Sequence, residues 1–320
     1  MERQYDVISI GFIAQDILMT NIPKDALERD ASTADQVIFS SGGDANNEAV
    51  TLARLGDKAA LLVKIGTDTV GNTIYDGLSE EPLDLSLIIR DDRARMPLAI
   101  CVIQPDGNRS FLLGMGKDYF LTLEDVDLSL VQKARAITVG SLFSLERLDH
   151  GGITAIFKEA RKYGTITIAD MTADLKKIGP EAISDVYPYT DFMMPSLEEA
   201  TYVTGETDPD KIADWFLAAG VKNVVLKLGG DGCFVKNAQE RFYTDPFQIE
   251  PVDTTGCGDN FVAGFTHCLI RGKSLRECAD FACGVGALNA LGIGAHLTVK
   301  SEQHVLDFMN STPRAALNRG

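Results

Sequence analysis

Short β-branched runs alternate with longer stretches of helical period along most of this chain. Tyr5–Ile10, Ala59–Ile65, Ala136–Val139, Thr165–Ala169, Asp191–Met194 and Asn223–Leu228 read as buried strands, near-continuous in apolar residues. Between them, Asp44–Leu55, Ile153–Tyr163, Leu197–Thr204 and Pro209–Ala219 read as helices. Gly56, Gly164, Gly205 and Gly220 stand where the end of a helix favours a left-handed residue. Such alternation predicts an α/β fold with a central, mainly parallel sheet flanked by helices.

Two regions break the alternation. Leu98–Gln104 and Arg109–Leu113 read as a β-hairpin, with Pro105, Asp106, Gly107 and Asn108 supplying the turn. The segment from about Ile17 to Ser40 lacks a helical period and is suited to join the same small sheet. These insertions, at about 12–40 and 96–114, fit an edge decoration and a lid over a site equally well. No repeat or linker divides the chain, so residues 1–320 are expected to form a single domain.

Composition narrows the class. Lys and Arg total 30 against 46 Asp and Glu, a net charge of −16, so neither a nucleic-acid partner nor a membrane-surface partner is expected. A small anionic ligand is still allowed, because a few local N–H groups outweigh a distant net charge. The 45% apolar and 24% charged content is that of a globular chain and excludes wholesale disorder. The longest uncharged stretch, Gly284–Val299, has 16 residues and is shorter than a membrane span of about 20. Six cysteines form no C-x-x-C pair, which suggests reduced thiols in a soluble, cytoplasmic protein.

Chemistry is most visible at Val252-Asp253-Thr254-Thr255-Gly256-Cys257-Gly258-Asp259, which precedes a helical pattern through Phe261, Phe265 and Leu269. Glycines there let successive N–H groups turn into one concavity at a helix N-terminus, where the dipole favours a phosphate. From the residues alone Asp259 is either an N-cap, the commoner use of Asp there, or the acceptor of a proton from an attacking hydroxyl. A second glycine cluster, Gly42-Gly43, opens the helix that carries Asn47, whose amide could bond a polyol or simply be solvated. Gly272-Lys273-Ser274 lacks the first glycine of a P-loop, and Gly284-Val285-Gly286 lacks the third of a dinucleotide fingerprint.

Together these segments resemble the PfkB (ribokinase-like) carbohydrate kinase family nearly end to end. The N-terminal signature is similar to Gly42-Gly43-x-x-x-Asn47-x-Ala49, and the next block to Gly66-x-Asp68-x-x-Gly71. Asp106-Gly107-Asn108-Arg109 resembles a recurrent family hairpin, Pro195-Ser196-Leu197-Glu198-Glu199 the N-x-x-E region, and Lys227-Leu228-Gly229-x-x-Gly232 the nucleotide loop. Asp253-Thr254-Thr255-Gly256-x-Gly258-Asp259 closely resembles the C-terminal signature.

The resemblance implies a ribokinase-like fold with a small β-sheet lid, and ATP-dependent, Mg²⁺-assisted phosphorylation of a sugar or sugar-acid hydroxyl. Asp259 would be the catalytic base, with Gly256, Cys257 and Gly258 forming the anion hole. Asp16, Gly43 and Asn47 would hold the acceptor, with Arg109 reaching in from the lid. Ser196, Lys227, Gly229, Gly232 and Asn289 would lie near the nucleotide, and Glu199 would order Mg²⁺ through water. Asp253 and the Thr255 carbonyl resemble a monovalent-cation (K⁺) site that some members use. Exposed lid strands often pair in this family, which implies a homodimer through the lid. This chain differs from the family at Ser196 (usually Asn), Ala14 (Asn in ribokinases), Lys227 (commonly Thr) and Cys257 (commonly Ala). A nucleoside kinase on the same fold and a non-catalytic sugar or nucleotide sensor are the competing functions. For the first of these, Phe12, Phe39, Met96 and Phe111 are the lid residues suited to stacking on a base.

Overall fold

The computed structural model describes residues 3–105 and 109–315, the Arg109 side chain excepted. The chain begins with strands β1 (Tyr5–Ile10), β2 (Ala14–Met19) and β3 (Val37–Gly42) and helix α1 (Asp44–Arg54). Next come β4 (Ala59–Leu62), β5 (Lys64–Gly66), α2 (Thr69–Leu78), β6 (Ile89–Asp91) and the hairpin strands β7 (Leu98–Ile103) and β8 (Arg109–Gly114). There follow β9 (Ala134–Leu142), α3 (Gly152–Lys162), β10 (Ile166–Met171), β11 (Phe192–Met193), α4 (Leu197–Thr204), α5 (Pro209–Ala218) and β12 (Asn223–Lys227). The last elements are β13 (Cys233–Asn237), β14 (Arg241–Thr244), α6 (Cys257–Ile270), α7 (Leu275–Asn289) and α8 (Glu302–Ser311).

The main sheet has the order β14-β13-β12-β11-β10-β9-β1-β4, parallel from β4 to β12 and antiparallel at the β13–β14 edge. Its strands are apolar on both sides because both sides are covered. Val7 of β1 enters a core shared with α1, α6, α7 and α8, whereas Ile8 and Ile10 enter a core shared with α3, α4 and α5. The chain leaves β1 for β4 on one side and later resumes at β9 on the other. Strand order therefore reverses between β1 and β9, and in open parallel sheets the crevice beyond the strands' carboxyl ends at such a reversal receives ligands.

A second sheet, β3-β2-β7-β8, unites the two segments expected to form the small sheet. Residues paired across its strands share a face, which places Phe39, Ile17, Ile100 and Leu112 on one side and Ser40, Asp16, Ala99 and Leu113 on the other. The hairpin's turn at Asp106, Gly107 and Asn108 lies outside the described residues.

Two differences from the sequence pattern have physical causes. The run Ala59–Ile65 is not one strand. It breaks after Leu62, and β5 joins β6 in a separate two-stranded sheet, where the Lys64 ammonium pairs with Asp125 at 2.6 Å. Helices α2, α7 and α8 lie outside the segments picked out by periodicity, although each starts with a side-chain cap, on Asp68, Ser274 and Ser301 respectively. In α7 the small residues Ala282, Gly284, Gly286 and Ala287 blur the helical period. The four glycines expected to end helices do have left-handed φ angles, from 65° at Gly164 to 106° at Gly220.

Helices α6 and α7 approach closely at Gly264, where a Cβ would sit 2.6 Å from Val285 Cγ2 and 3.1 Å from the Ala282 backbone. Gly264→Leu should therefore lower stability by about 1–3 kcal/mol, the usual cost of overpacking. Urea unfolding with an unchanged midpoint would contradict this close packing.

Candidate active site

The carboxyl ends of β9, β10 and β12 deliver Ser141, Asp170 and Lys227 to the crevice, and the start of α4 delivers its N-cap Ser196 and Glu199. Opposite them, α1 contributes Asp44, Asn47 and Glu48, and the start of α6 contributes Asp259. All these side chains stand where short parallel strands stop or a helix begins, so polar groups gather without crossing either apolar core.

The turn before α6 has little freedom. Gly256 is the N-cap residue with φ 70°, and a Cβ there would lie 2.1 Å from the Ala295 carbonyl oxygen. A side chain is excluded on both counts. The Cys257 N–H donates to the Thr254 carbonyl at 3.2 Å, so it supports the turn, while Gly258 N–H has no protein acceptor among the described residues. Gly258 is already helical, and a Cβ on it would meet Lys227 Nζ at 3.3 Å.

Asp259 does not cap the helix. It stands in the first turn, and its Oδ2 accepts from Asn47 Nδ2 at 2.7 Å. Asn47 Oδ1 in turn lies 3.0 Å from His296 Nδ1. Asn47 therefore spends most of its amide on the protein, leaving one Nδ2 hydrogen for an acceptor hydroxyl.

Charge is concentrated around Asp259. Burial raises its pKa, and the negative charge of Glu199 adds to this, while the Asn47 hydrogen bond and Lys227 pull it back. Burial raises Asp44 well above the carboxylate range, Asp259 raises it further, and a 2.8 Å hydrogen bond from Ser141 opposes both. Burial likewise holds Glu48 well above its ordinary value. Asp170, pushed up to about 7 by burial against the pull of Lys227, forms a buried ion pair with that ammonium. Burial works against the Lys227 charge, yet Asp170, Glu199 and Asp259 outweigh it and raise the pKa.

A cleft of about 520 Å³ opens between the turn and the loop after β12. Ser196, Lys227, Gly229, Gly232, Cys257 and Gly258 form its polar rim, and Phe247, Ile249, Phe261 and Ala287 its apolar wall. Gly232 must be glycine, with φ 82° and only 2.0 Å between a Cβ and the Thr244 oxygen. Asn289 is absent from the lining. It is buried beneath the turn, donating from Nδ2 to the Thr255 carbonyl at 3.0 Å. Asp253 is buried below the same turn, accepting from Thr255 N at 2.9 Å and Gly294 N at 3.0 Å.

Ser196 and Glu199 form a reciprocal capping box on α4, so the serine that replaces the family's asparagine holds a helix start. Among the described residues no group of three or more His, Cys, Asp or Glu side chains is placed to hold a metal. A magnesium ion would therefore take most of its oxygen ligands from nucleotide phosphates and water.

On the acceptor side, Gly43 is the N-cap of α1 with φ 97°, and the Asp16 carboxylate lies against Gly42. The Arg109 side chain lies outside the described residues. Of the aromatic and sulfur candidates, Phe12 packs edge-on against Tyr119 and Phe120, Met96 is buried, and Phe39 points to the face opposite Asp16. Phe111 alone of these stands exposed on the Asp16 side of the small sheet. Asp44, Asp170 and His296 escaped the motif reading. A charged residue at the end of a buried apolar strand could have flagged Asp170, and an acid directly after Gly43 could have flagged Asp44, but nothing local marks His296.

A second cavity, of about 490 Å³, lies near β5 and β6 and is lined by Lys64, Asp91, Arg93 and Glu146 among others. Lys64, Arg93 and Glu146 there pair with Asp125, Asp91 and Lys176 respectively, and no residue of the Asp259 crevice lines it. Among the described residues no helix is long and apolar enough to cross a membrane.

Residues 7–301 match the family described as pfkB family carbohydrate kinase. An Arabidopsis thaliana protein named "Probable fructokinase-7" is 30% identical over 295 residues, covering 85% of this chain and 84% of that one. A ribokinase of Haemophilus influenzae is 28% identical over 273 residues, 84% of this chain and 87% of its own. In three dimensions, an Arabidopsis thaliana ribokinase solved with ribose and ATP superposes with a TM-score of 0.81 at 23% identity, over 97% of this chain and 99% of that one.

Asp16 gives a test of the site's cost. Burial pushes it up to about 6 from the ordinary 3.8. The unfolded chain gives up this proton first, so the contribution costs nothing below about pH 4 and its full amount above about pH 6. Asp16→Asn should accordingly stabilise the protein by on the order of 1–3 kcal/mol at pH 8 and leave it unchanged near pH 4. Urea unfolding at both pH values checks this, and equal effects at both would contradict it.

Proposed function

We infer the function from one premise: the chain belongs to the pfkB family of carbohydrate kinases. It is a phosphotransferase acting on sugars, and the proposed reaction moves the γ-phosphoryl group of ATP to a hydroxyl of a neutral sugar. The observation that carries this reading is Asp259, an acid of raised pKa beside an N–H-lined glycine turn and a nucleotide-sized cleft. Between sugars and sugar acids, the carboxylates of Asp16 and Asp259 favour the neutral acceptor, since an anion would meet like charge there. The ribose and ATP held by the Arabidopsis ribokinase, and the fructokinase name of a relative, indicate the first pairs to assay.

In the proposed mechanism Asp259 accepts the proton of the acceptor hydroxyl as its oxygen forms the new bond to phosphorus. The bond from that phosphorus to the β–γ bridging oxygen breaks, and ADP leaves. The Gly258 N–H and the positive end of α6 face the transferring group, where preorganised donors lower the barrier most. Lys227 supplies a cation at the phosphate end of the cleft, held in place by Asp170. Mg²⁺ bound with the nucleotide would neutralise phosphate charge, with Glu199 reaching its water shell. Gly229 and Gly232 shape the nucleotide loop, Ser196 sets the α4 end of the cleft, and Asn289 supports the turn from below. Asp16, Gly43 and Asn47 face the acceptor. Asp253 and the Thr255 carbonyl are the proposed monovalent-cation site, supported by their position under the turn and by the motif they belong to.

Of the four stacking candidates only Phe111 faces the acceptor side, while Phe12, Met96 and Phe39 are committed elsewhere, so the polar groups Asp16, Asn47 and Asp259 favour a sugar over a nucleoside there. An ATPase-coupled assay across sugars and nucleosides decides the class. Asp259→Asn should lower kcat with the best sugar by about 10²–10⁴ while ATP still binds. Unchanged turnover at saturation would remove Asp259 from the mechanism.

The same small sheet supports a homodimer through the lid. On the face opposite Asp16, Val37, Phe39 and Leu112 are exposed beside Ile17 and Ile100, an apolar surface of the kind that pairs with a second copy. Phe39→Glu should convert a dimer to a monomer in light scattering. A monomeric parent chain, or a dimer indifferent to the substitution, would contradict the lid interface.

A further inference from the structure

Asp259 and Asn47 are joined to a third side chain that none of the motifs contains. His296 is 4% exposed, and the contacts run from its Nδ1 to Asn47 Oδ1 at 3.0 Å and from Asn47 Nδ2 to Asp259 Oδ2 at 2.7 Å. The groups fix one another's roles. A carboxylate only accepts, so the amide must turn its NH₂ to Asp259 and its oxygen to the ring. The ring nitrogen facing that oxygen must then carry a proton, which makes His296 the Nδ1–H tautomer. Burial and the nearby Arg54 guanidinium lower its pKa to about 4, so the ring donates while neutral.

The ring is held from behind. Arg54 donates to the backbone oxygens of His296 and Val299, and both Glu81 oxygens clamp Arg54 in turn. On the other side Ala295 accepts from Asn260 Nδ2 at 2.7 Å, and Gly294 donates to Asp253 at 3.0 Å. One short strap after α7 thus ties together the glycine turn, the base and the amide that touches the base.

We propose that His296 is a positioning residue for phosphoryl transfer, donating to Asn47 Oδ1 so that the amide always presents its NH₂ to Asp259. This rests on the reading of Asp259 as the base. Without a donor at His296 the amide is free to rotate, and its oxygen would face Asp259 only if the carboxyl kept the proton it must be able to accept. Other groups around Asp259 do not replace the constraint. Burial pushes Asp44 and Glu48 on α1 well above their ordinary values, Glu199 on α4 adds negative charge, and Lys227 at the end of β12 is paired with Asp170.

Two measurements on the full chain test this. Long-range ¹H–¹⁵N NMR of histidine-labelled protein between about pH 6 and 8 should show His296 as the neutral Nδ1–H tautomer, assigned by its loss in His296→Asn. An Nε2–H tautomer would overturn the proposal, and this readout needs no substrate. Kinetics with ATP and D-fructose or D-ribose give the second test. His296→Phe should lower kcat about tenfold and move the acidic limb of kcat up by about one pH unit, leaving KM for ATP unchanged; this is the loss of one charge-assisted hydrogen bond. His296→Asn keeps a donor near Nδ1 and should retain most of the rate and the limb. Equal losses in both variants with an unmoved limb would mean that the ring only packs, and the proposal falls. If Asp259→Asn is inactive while His296→Phe keeps the parent profile, only the His296 role is lost. If Asp259→Asn turns over normally, the base reading fails and takes that role with it.

Discussion

Lys227 meets more negative charge than it can neutralise. Asp170 binds it directly, and Glu199 and Asp259 help hold its ammonium above the ordinary value despite burial. Across the crevice Asp44 and Glu48 are pushed well up by burial. Gathering these acids costs folding free energy, because each must be desolvated, paired or protonated. The fold confines that cost to the one place it can be tolerated. At the reversal of strand order the carboxyl ends of β1 and β9 open a gap, and polar ends reach it while the strand bodies remain in the apolar cores. An excess of acid is also what a proton acceptor requires, since an isolated exposed aspartate would be too weak a base near neutral pH.

Rigidity is unevenly distributed around that crevice. Beneath the turn, the Ala295 oxygen leaves no room for a Cβ on Gly256, and Asn260 bonds both the Gly256 and Ala295 oxygens. On the small sheet, by contrast, Phe111 and Leu113 on the Asp16 side are 53% and 64% exposed, so much of that face lacks a packing partner in this state. The side that would stabilise charge is fixed by packing. The side that would enclose the acceptor keeps apolar surface to bury, which is the difference expected between a preorganised electrostatic site and a closing lid.

Strand and helix positions were largely legible in the sequence because buried parallel strands and amphipathic helices leave strong periods, and the helix-ending glycines sit where the chain must turn left-handed. The break at Val63 was not legible. An apolar run looks the same whether it stays in one sheet or crosses to another, and only the Lys64–Asp125 pair distinguishes the outcomes. Helix α7 was hidden for a related reason, since its small residues serve close packing, Ala282 and Gly286 against α6 and Gly284 against Met309 of α8, rather than an apolar stripe. In the site, Asp259 stood out through its glycines. Its function as a cap, the commoner use of such an aspartate, is excluded by the geometry, because Gly256 is the N-cap and the carboxylate is turned to Asn47.

Asn47 shows why part of the site could not be read locally. Its spacing from Gly43 predicts a polar group near the acceptor, and it does stand there, but its partners are 212 and 249 residues away along the chain. Neither separation has a periodic signature, and each contact exists only because α1 packs on α6 and the strap after α7 passes under both. The same packing gives the amide a direction. A solvated asparagine can offer a ligand either end of its amide, whereas one held between a carboxylate and a ring N–H has a single permitted orientation. Specific chemistry at this crevice therefore depends on long-range packing that makes one orientation of an ordinary side chain the only one that satisfies every buried partner.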